Sequence, residues 1–237
     1  MSMQVLQNEA QIAAARRTMR KMGVSFIDSP LRARLRRLGW VRAEAVGDHI
    51  KSWDVLETLR FLQRHVSRDE AVLDIGCYAS EVLLALHKLG YRKLAGVDLN
   101  PNIKKMAFQQ AVNYQIGDFL QTPFADAAFK AITAVSVIEH GFQSRRLLTE
   151  MSRLLQPGGF FVASFDYWPQ KIDTTGVTFF DMEWKIFSRE EVGEFLAQAR
   201  DFGLEPLGSL TDQGDGRVVH CGGKQYTFAW LVLKKRP

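Results

Sequence analysis

The sequence predicts an α/β fold built on a doubly wound, mostly parallel sheet, with extra helices at its N-terminal side. Three observations carry that expectation. Short runs of apolar and β-branched residues recur: AVLDIG (71–76), KLAGVDL (93–99), VNYQIG (112–117), KAITAVSVI (130–138) and FFVASF (160–165). They are apolar throughout rather than alternating, as strands covered on both faces are. They are separated by helical stretches, and parallel strands need such crossovers.

Residues 1–66 read as a helical segment, and 67–237 as the main domain. A first helix is expected around 7–22. In LRARLRRLGW (31–40), Leu31, Leu35 and Leu38 share one helical face and arginines flank it. In SWDVLETLRFLQRHV, Ser52 is the predicted N-cap, and Val55, Leu56, Leu59 and Leu62 form the apolar stripe. Further on, Ser80 is placed to cap a helix that Gly90 ends. Asn100 is placed to cap one that Pro101 opens, and a helix over Ser144–Leu155 should stop before Pro157-Gly158-Gly159. Ser188 and Glu191 make a capping box for a helix ending near Gly203. The tail RVVHCGGKQYTFAWLVLKK reads as two strands joined at Gly222-Gly223.

Composition narrows the class. With 237 residues, 46% hydrophobic and 24% charged, the chain suits one large domain with additions. No stretch approaches the roughly 20 apolar residues of a membrane span, and the N-terminus lacks an apolar signal core. Cys77 and Cys221 are not spaced as metal ligands, so neither zinc nor a disulfide framework is expected, and the expected location is cytoplasmic. The net charge of +5 is uneven: residues 1–45 hold nine Lys/Arg against three Asp/Glu. The expected reason is an amphipathic helix packing on the main domain with a solvated basic face. Attraction to an anionic substrate, nucleic acid or membrane surface is the alternative.

In a parallel sheet, ligands sit at the carboxyl ends of the strands. The first predicted strand ends Asp74-Ile75-Gly76-Cys77-Tyr78. The second ends Asp98-Leu99, the third Gly117-Asp118-Phe119, the fourth Ser136-Val137-Ile138-Glu139-His140 and the fifth Asp166-Tyr167. Gly76 allows a close backbone approach. An acid at Asp98 is placed to accept from both ribose hydroxyls of a nucleoside. Asp118 offers an acceptor to an adenine amino group, and Phe119 an aromatic face to the base.

At VLDIG, GVDLNP, GDF, SVIEH and RLLQPGG the chain resembles the class I S-adenosylmethionine-dependent methyltransferases. The resemblance covers 71–166 well and extends to 237 through the C-terminal hairpin. It implies a Rossmann-like seven-stranded sheet whose last strand is antiparallel. It also implies methionine-end contacts around Asp74, Gly76 and Cys77, ribose contact at Asp98, adenine contacts at Asp118 and Phe119, and contact near the sulfonium from Ser136. Tyr78 and Leu99 complete the expected cofactor-binding set.

The chain departs from that family's loop, acid-x-Gly-x-Gly-x-Gly, by placing Tyr78 and Ser80 at the second and third glycines. Pyrophosphate needs a loop stripped of side chains; S-adenosylmethionine has no phosphate and tolerates their loss. A dehydrogenase is therefore set aside. The Tyr78 ring either turns out of the pocket or covers the cofactor, and a weakened or lost site is the third reading, set behind intact binding because the ribose and adenine partners remain. Glu139 and His140 either belong to the scaffold, the expected case, or provide a general base for an acceptor hydroxyl or amine. A related Glu-x-x-Glu-His arrangement holds magnesium, but Ser136 replaces its first glutamate, so no metal is expected. Asp166 and His220 are further catalytic candidates. The aromatic stretch 166–184 reads as an acceptor loop, or as a surface loop whose Phe179, Phe180 and Trp184 pack on the core. The expected activity is methyl transfer to a small-molecule or saccharide acceptor by in-line displacement. RNA methylation and a non-catalytic binding role are the alternatives.

Overall fold

The structure, a computed structural model, describes residues 3–41 and 45–237. Residues 1–2 and 42–44 of the predicted basic segment lie outside the described residues. The elements run β1 (Met3–Val5), α1 (Glu9–Lys21), α2 (Pro30–Arg37), α3 (Ser52–His65), β2 (Ala71–Ile75), α4 (Val82–Lys88) and β3 (Lys93–Asp98). A 3-10 turn (Pro101–Lys105) leads to β4 (Val112–Ile116), β5 (Phe129–Val135), α5 (Ser144–Leu154) and β6 (Leu155–Tyr167). Then come β7 (Thr178–Phe179), β8 (Met182–Glu183), α6 (Arg189–Asp201), β9 (Leu204–Pro206), β10 (Val219–Cys221) and β11 (Lys224–Lys235).

The main sheet has the order β1-β11-β6-β5-β2-β3-β4. Strands β4, β3, β2, β5 and β6 are mutually parallel, and β11 runs antiparallel to β6. The mostly parallel sheet with an antiparallel C-terminal strand is thus as expected. Its outer edge was not legible. Residues 3–5, predicted inside a helical segment, pair with Ala229–Leu231 of β11, and β9 pairs with the same edge further along. Three-residue strands carry too few side chains to show a period.

The apolar runs are buried on both sides because each strand feeds two cores. In β6, Phe160 and Val162 face the layer with α1, α3 and α4, while Phe161, Ala163 and Phe165 face the layer with α5 and α6. β11 alternates likewise, Phe228 and Trp230 on one side, Ala229 and Leu231 on the other. The predicted α3 stripe of Val55, Leu56, Leu59 and Leu62 is buried. Its polar Thr58 accepts from Trp230 Nε1 at 3.0 Å.

Several local expectations change. Ser52 is not the cap of α3; Lys51 holds that position. The Ser52 hydroxyl is engaged elsewhere, donating to the His49 carbonyl and accepting from Arg16 Nε at 2.9 Å. Asn100 does cap the next segment, accepting from Asn102 N, but the product is one 3-10 turn. Gln109 Nε2 takes the carbonyls of Ile103 and Met106 that a longer helix would use. The Ser188–Glu191 capping box and the Gly222-Gly223 turn form as expected.

The largest difference is α2. Leu31, Leu38 and Trp40 are 68%, 60% and 77% exposed, and none of the described α2 side chains joins either core. Asp28 pairs with Arg32 and Arg36, so the Arg36 side of the helix is drawn in beside half-buried Leu35, and the rest of the leucine face is left exposed. Among the described residues no helix is long and apolar enough to cross a membrane.

Candidate active site

A cavity of about 710 Å³ opens at the carboxyl edge of the sheet. It lies where the chain order reverses between the neighbouring strands β2 and β5, the place where open α/β sheets bind ligands. The loop after β2 forms one wall through Gly76, Tyr78 and Ser80. Gly76 adopts φ +62°, and a Cβ there would sit 2.5 Å from Val137 Cγ2. The other left-handed residue of this loop is Ala79, at φ +58°. Tyr78 and Ser80 keep negative φ, which is why side chains stand where glycines were expected. Tyr78 is half-buried, packs against the core layer with α1, α3 and α4, and contributes to the cavity wall.

Asp98, closing β3, also lines the cavity. Its Oδ2 accepts from Tyr78 N at 2.9 Å and its Oδ1 from Asn100 N at 2.8 Å. One carboxylate therefore fixes two loops and keeps lone pairs for a ligand. Leu99 and Phe119 line the cavity beside it. Three expected residues sit otherwise. Asp118 does not line the cavity; it accepts from Leu120 N and pairs with Arg146 at 3.6 Å. Cys77 is buried beneath the cavity, its Sγ crowded against Gly96, and burial raises its thiol pKa. Asp74 is buried behind the loop, accepting from Thr133 Oγ1 at 2.6 Å, and burial raises its pKa to about 7.

The end of β5 forms the opposite wall. Ser136 lines the cavity in a left-handed conformation, φ +51°, unusual for a residue with a Cβ. Its amide is held by the Ser164 carbonyl at 3.0 Å and Ser164 Oγ at 3.2 Å. Ser164 Oγ in turn donates to Asp54 Oδ2 at 2.8 Å. The Ser136 hydroxyl is buried and has no partner among the described residues. His140 also lines the cavity, its Nδ1 unpartnered. Burial, with help from the Lys51 charge, lowers its pKa to about 4, so the imidazole is neutral at ordinary pH.

Behind this wall lie three buried carboxyls. Burial raises Asp54 to about 7 and Asp166 to about 6. Burial, then the neighbouring Asp166, raises Glu139 well above the carboxylate range. Asp166 Oδ2 accepts from Trp184 Nε1 at 2.6 Å, and the Glu139 carbonyl from Lys185 N. Glu139 and Asp166 are thus scaffold acids behind the cavity rather than in it. Trp184 packs inside, whereas Phe180, at the β7–β8 turn, is exposed and lines the cavity mouth. The 166–184 stretch therefore supplies both a core plug and a rim. His220 is exposed on β10 and does not line the cavity.

The N-terminal segment was expected to pack on the main domain and cover the acceptor, but the sequence singled out none of the residues by which it reaches the cavity. Gly47, Asp48 and Lys51 line the cavity. Arg16 of α1 reaches Glu81, just past the loop after β2, with Nη2–Oε2 at 2.7 Å, both side chains buried. An arginine in a helix is ordinarily a solvated charge, so no sequence signal marked it.

The doubly wound sheet with its antiparallel C-terminal strand, the glycine turn after β2 and the acid closing β3 agree with the fold that the resemblance to class I S-adenosylmethionine-dependent methyltransferases implies. Residues 73–163 match the methyltransferase domain family. Norajmaline N-methyltransferase of Rauvolfia serpentina is 26% identical over an alignment of 113 residues that covers 43% of this chain and 39% of that enzyme. The match thus spans about two-fifths of that relative's length. Among solved structures, the [4+2]-cyclase SpnF superimposes with TM-score 0.63 at 16% identity, covering 85% of this chain and 91% of its own. Geranyl diphosphate C-methyltransferase of Streptomyces coelicolor, solved with Mg²⁺, geranyl diphosphate and S-adenosyl-L-homocysteine, gives 0.56 at 19% identity, covering 80% and 88%. At these identities the likeness to solved structures is one of fold.

Proposed function

We propose that this protein transfers the methyl group of S-adenosylmethionine to a small-molecule or saccharide acceptor. The observation that carries the reading is the cavity itself. It joins the Asp98 carboxylate on one wall to the unpartnered Ser136 hydroxyl and His140 imidazole on the other. The residues fit the donor. Gly76 leaves room for close approach, the free lone pairs of Asp98 suit vicinal ribose hydroxyls, and Phe119 offers a flat face to a base. The orphaned Ser136 hydroxyl suits a polar group at the donor's methionine end.

When bound, S-adenosylmethionine supplies a methyl group on a positively charged sulfur, already activated for displacement. The chain's own task is then alignment and exclusion of water. Tyr78 and Phe180 flank the space, and the strained Ser136 turn is locked by Ser164. His140, neutral at ordinary pH, is able to accept a hydrogen bond from an acceptor hydroxyl or amine and orient it, while its lowered pKa of about 4 makes it a weak base.

Calorimetry with S-adenosylhomocysteine, then methyl-labelled donor with a panel of metabolite and saccharide fractions, tests the reading. Binding of the homocysteine product and label entering a low-molecular-weight fraction are expected. Absence of binding overturns the donor assignment. Label appearing only in RNA or protein overturns the acceptor class.

A further inference from the structure

The arginine-rich helix α2 lies on an excursion anchored to the loop after β2, with Leu31 and Leu38 exposed and Leu35 half-buried. The described part of this excursion is rooted at both ends in the loop after β2. On one side Phe26 N donates to Glu81 Oε1 at 2.6 Å; on the other Gly47 N donates to the Ala79 carbonyl at 2.8 Å. Between those roots, α2 makes no extensive contact with any other helix or strand. Ser29 caps it, accepting from Arg32 N, so the helix is a formed element and not a loose loop. Leu31, Leu38 and Trp40 are exposed, as are Arg34 and Arg37. Neither Arg34 nor Arg37 makes an ion pair among the described residues. Two further exposed apolar side chains, Leu99 and Phe180, line the cavity itself.

We propose that α2 and Trp40, on the excursion anchored to the loop after β2, form a docking surface for an anionic lipid bilayer. The pairing of chemistries selects the partner. A nucleic acid would use the arginines and leave the leucines in water. A second copy docked symmetrically through this same face would cover the leucines but set Arg34 and Arg37 against like charges. An anionic interface satisfies both: headgroups take the guanidinium groups while leucine and tryptophan enter the acyl boundary. Tryptophan is a residue that favours that depth. With its roots on the cofactor-binding loop, a docked α2 holds the cavity near the bilayer surface. The inference rests on α2 and is independent of the acceptor class.

Sedimentation of the full chain with phosphatidylcholine vesicles, with and without phosphatidylglycerol, tests it. Binding is expected only when phosphatidylglycerol is present. Arg34→Gln with Arg37→Gln is expected to weaken it roughly thirtyfold, about a factor of five for each arginine. The triple variant Leu31→Ser, Leu38→Ser and Trp40→Ser is expected to reduce it to the level of phosphatidylcholine alone. Both variants change exposed residues, and unaltered S-adenosylhomocysteine affinity and melting temperature verify their folds. Wild-type protein that ignores phosphatidylglycerol overturns the proposal, as do variants that bind like wild type. Salt-sensitive binding to duplex RNA that survives the triple variant, without vesicle binding, reassigns the surface to nucleic acid. A dimer lost in the triple variant reassigns it to self-association.

Discussion

Arg16 and Glu81, 65 positions apart in sequence, form a fully buried bidentate pair: Nη1–Oε1 is 2.9 Å and Nη2–Oε2 is 2.7 Å. Glu81 also accepts from Phe26 N, and Arg16 Nη2 donates to the Asp48 carbonyl. Helix α1 is thereby fastened to the end of the loop that forms the cavity wall. Removing one member of a buried pair strands a charge and costs about 3–5 kcal/mol. Arg16→Met is expected to lower stability by that amount in urea unfolding. Adding Glu81→Gln is expected to recover most of it, because a neutral amide oxygen still accepts from Phe26 N. A single variant as stable as wild type would refute the pair's structural role. By the same geometry, deletion of residues 1–45 would strip β1 from the sheet and expose Glu81.

Asp98 carries two duties, tying Tyr78 N and Asn100 N together and facing the cavity. Hydrogen bonds to a charged group contribute about 1.5–3 kcal/mol each. Asp98→Asn is therefore expected to weaken S-adenosylhomocysteine binding by roughly 10- to 100-fold in calorimetry while the chain stays folded. Affinity within twofold of wild type would remove Asp98 from the cofactor site.

The buried Asp54 makes stability depend on pH. Its pKa rises from 3.8 to about 7, chiefly through burial. A folded-state acid with a raised pKa holds its proton longer than the unfolded chain does. Its contribution is full below pH 3.8 and is lost as pH rises towards 7. Asp54→Asn keeps an acceptor for Ser164 and has no charge to bury. Its stability relative to wild type is expected to grow between pH 4 and pH 7, by at most about 4 kcal/mol. A pH-independent difference in chemical denaturation would contradict this.

His140 titrates in the opposite sense. Its pKa falls from 6.5 to about 4, through burial first and Lys51 second. Its imidazole proton resonances are expected to move near pH 4 and to stay flat through 6.5. Lys51→Met removes a nearby positive charge and is expected to shift that titration upward. An unshifted titration in the variant would place Lys51 too far away to act on His140.

The strand cores and their closing residues were legible because two-sided burial writes continuous apolar runs, as Val72–Ile75 and Phe160–Phe165 show. Asp98, Gly76, Tyr78, Leu99, Phe119, Ser136 and His140 all reach the cavity wall because strand ends converge there. Periodicity could not convey direction. Asp118 and Cys77 occupy the right loops with side chains turned elsewhere. The covered face of α2 was not legible, because amphipathicity reports two unlike sides and does not say which is covered. The Arg16–Glu81 pair joins distant segments and leaves no local trace in the sequence.

Ala79 is strained at φ +58° in the middle of the cavity loop, at a position where the backbone asks for glycine. Its carbonyl accepts from Gly47 N at 2.8 Å, so the conformation is fixed by the N-terminal segment and not by its own preference. A residue with a Cβ in this region costs on the order of 1–2 kcal/mol, offset in part by the greater unfolded-state freedom of glycine. Ala79→Gly is therefore expected to stabilise the chain by about 0.5–1 kcal/mol, raising the melting temperature by roughly 1–4 °C. The bond from Gly47 should persist, and with it the wall formed by Tyr78, so S-adenosylhomocysteine affinity should change less than threefold. A lower melting temperature would show that the left-handed turn at Ala79 is not where the loop's strain resides.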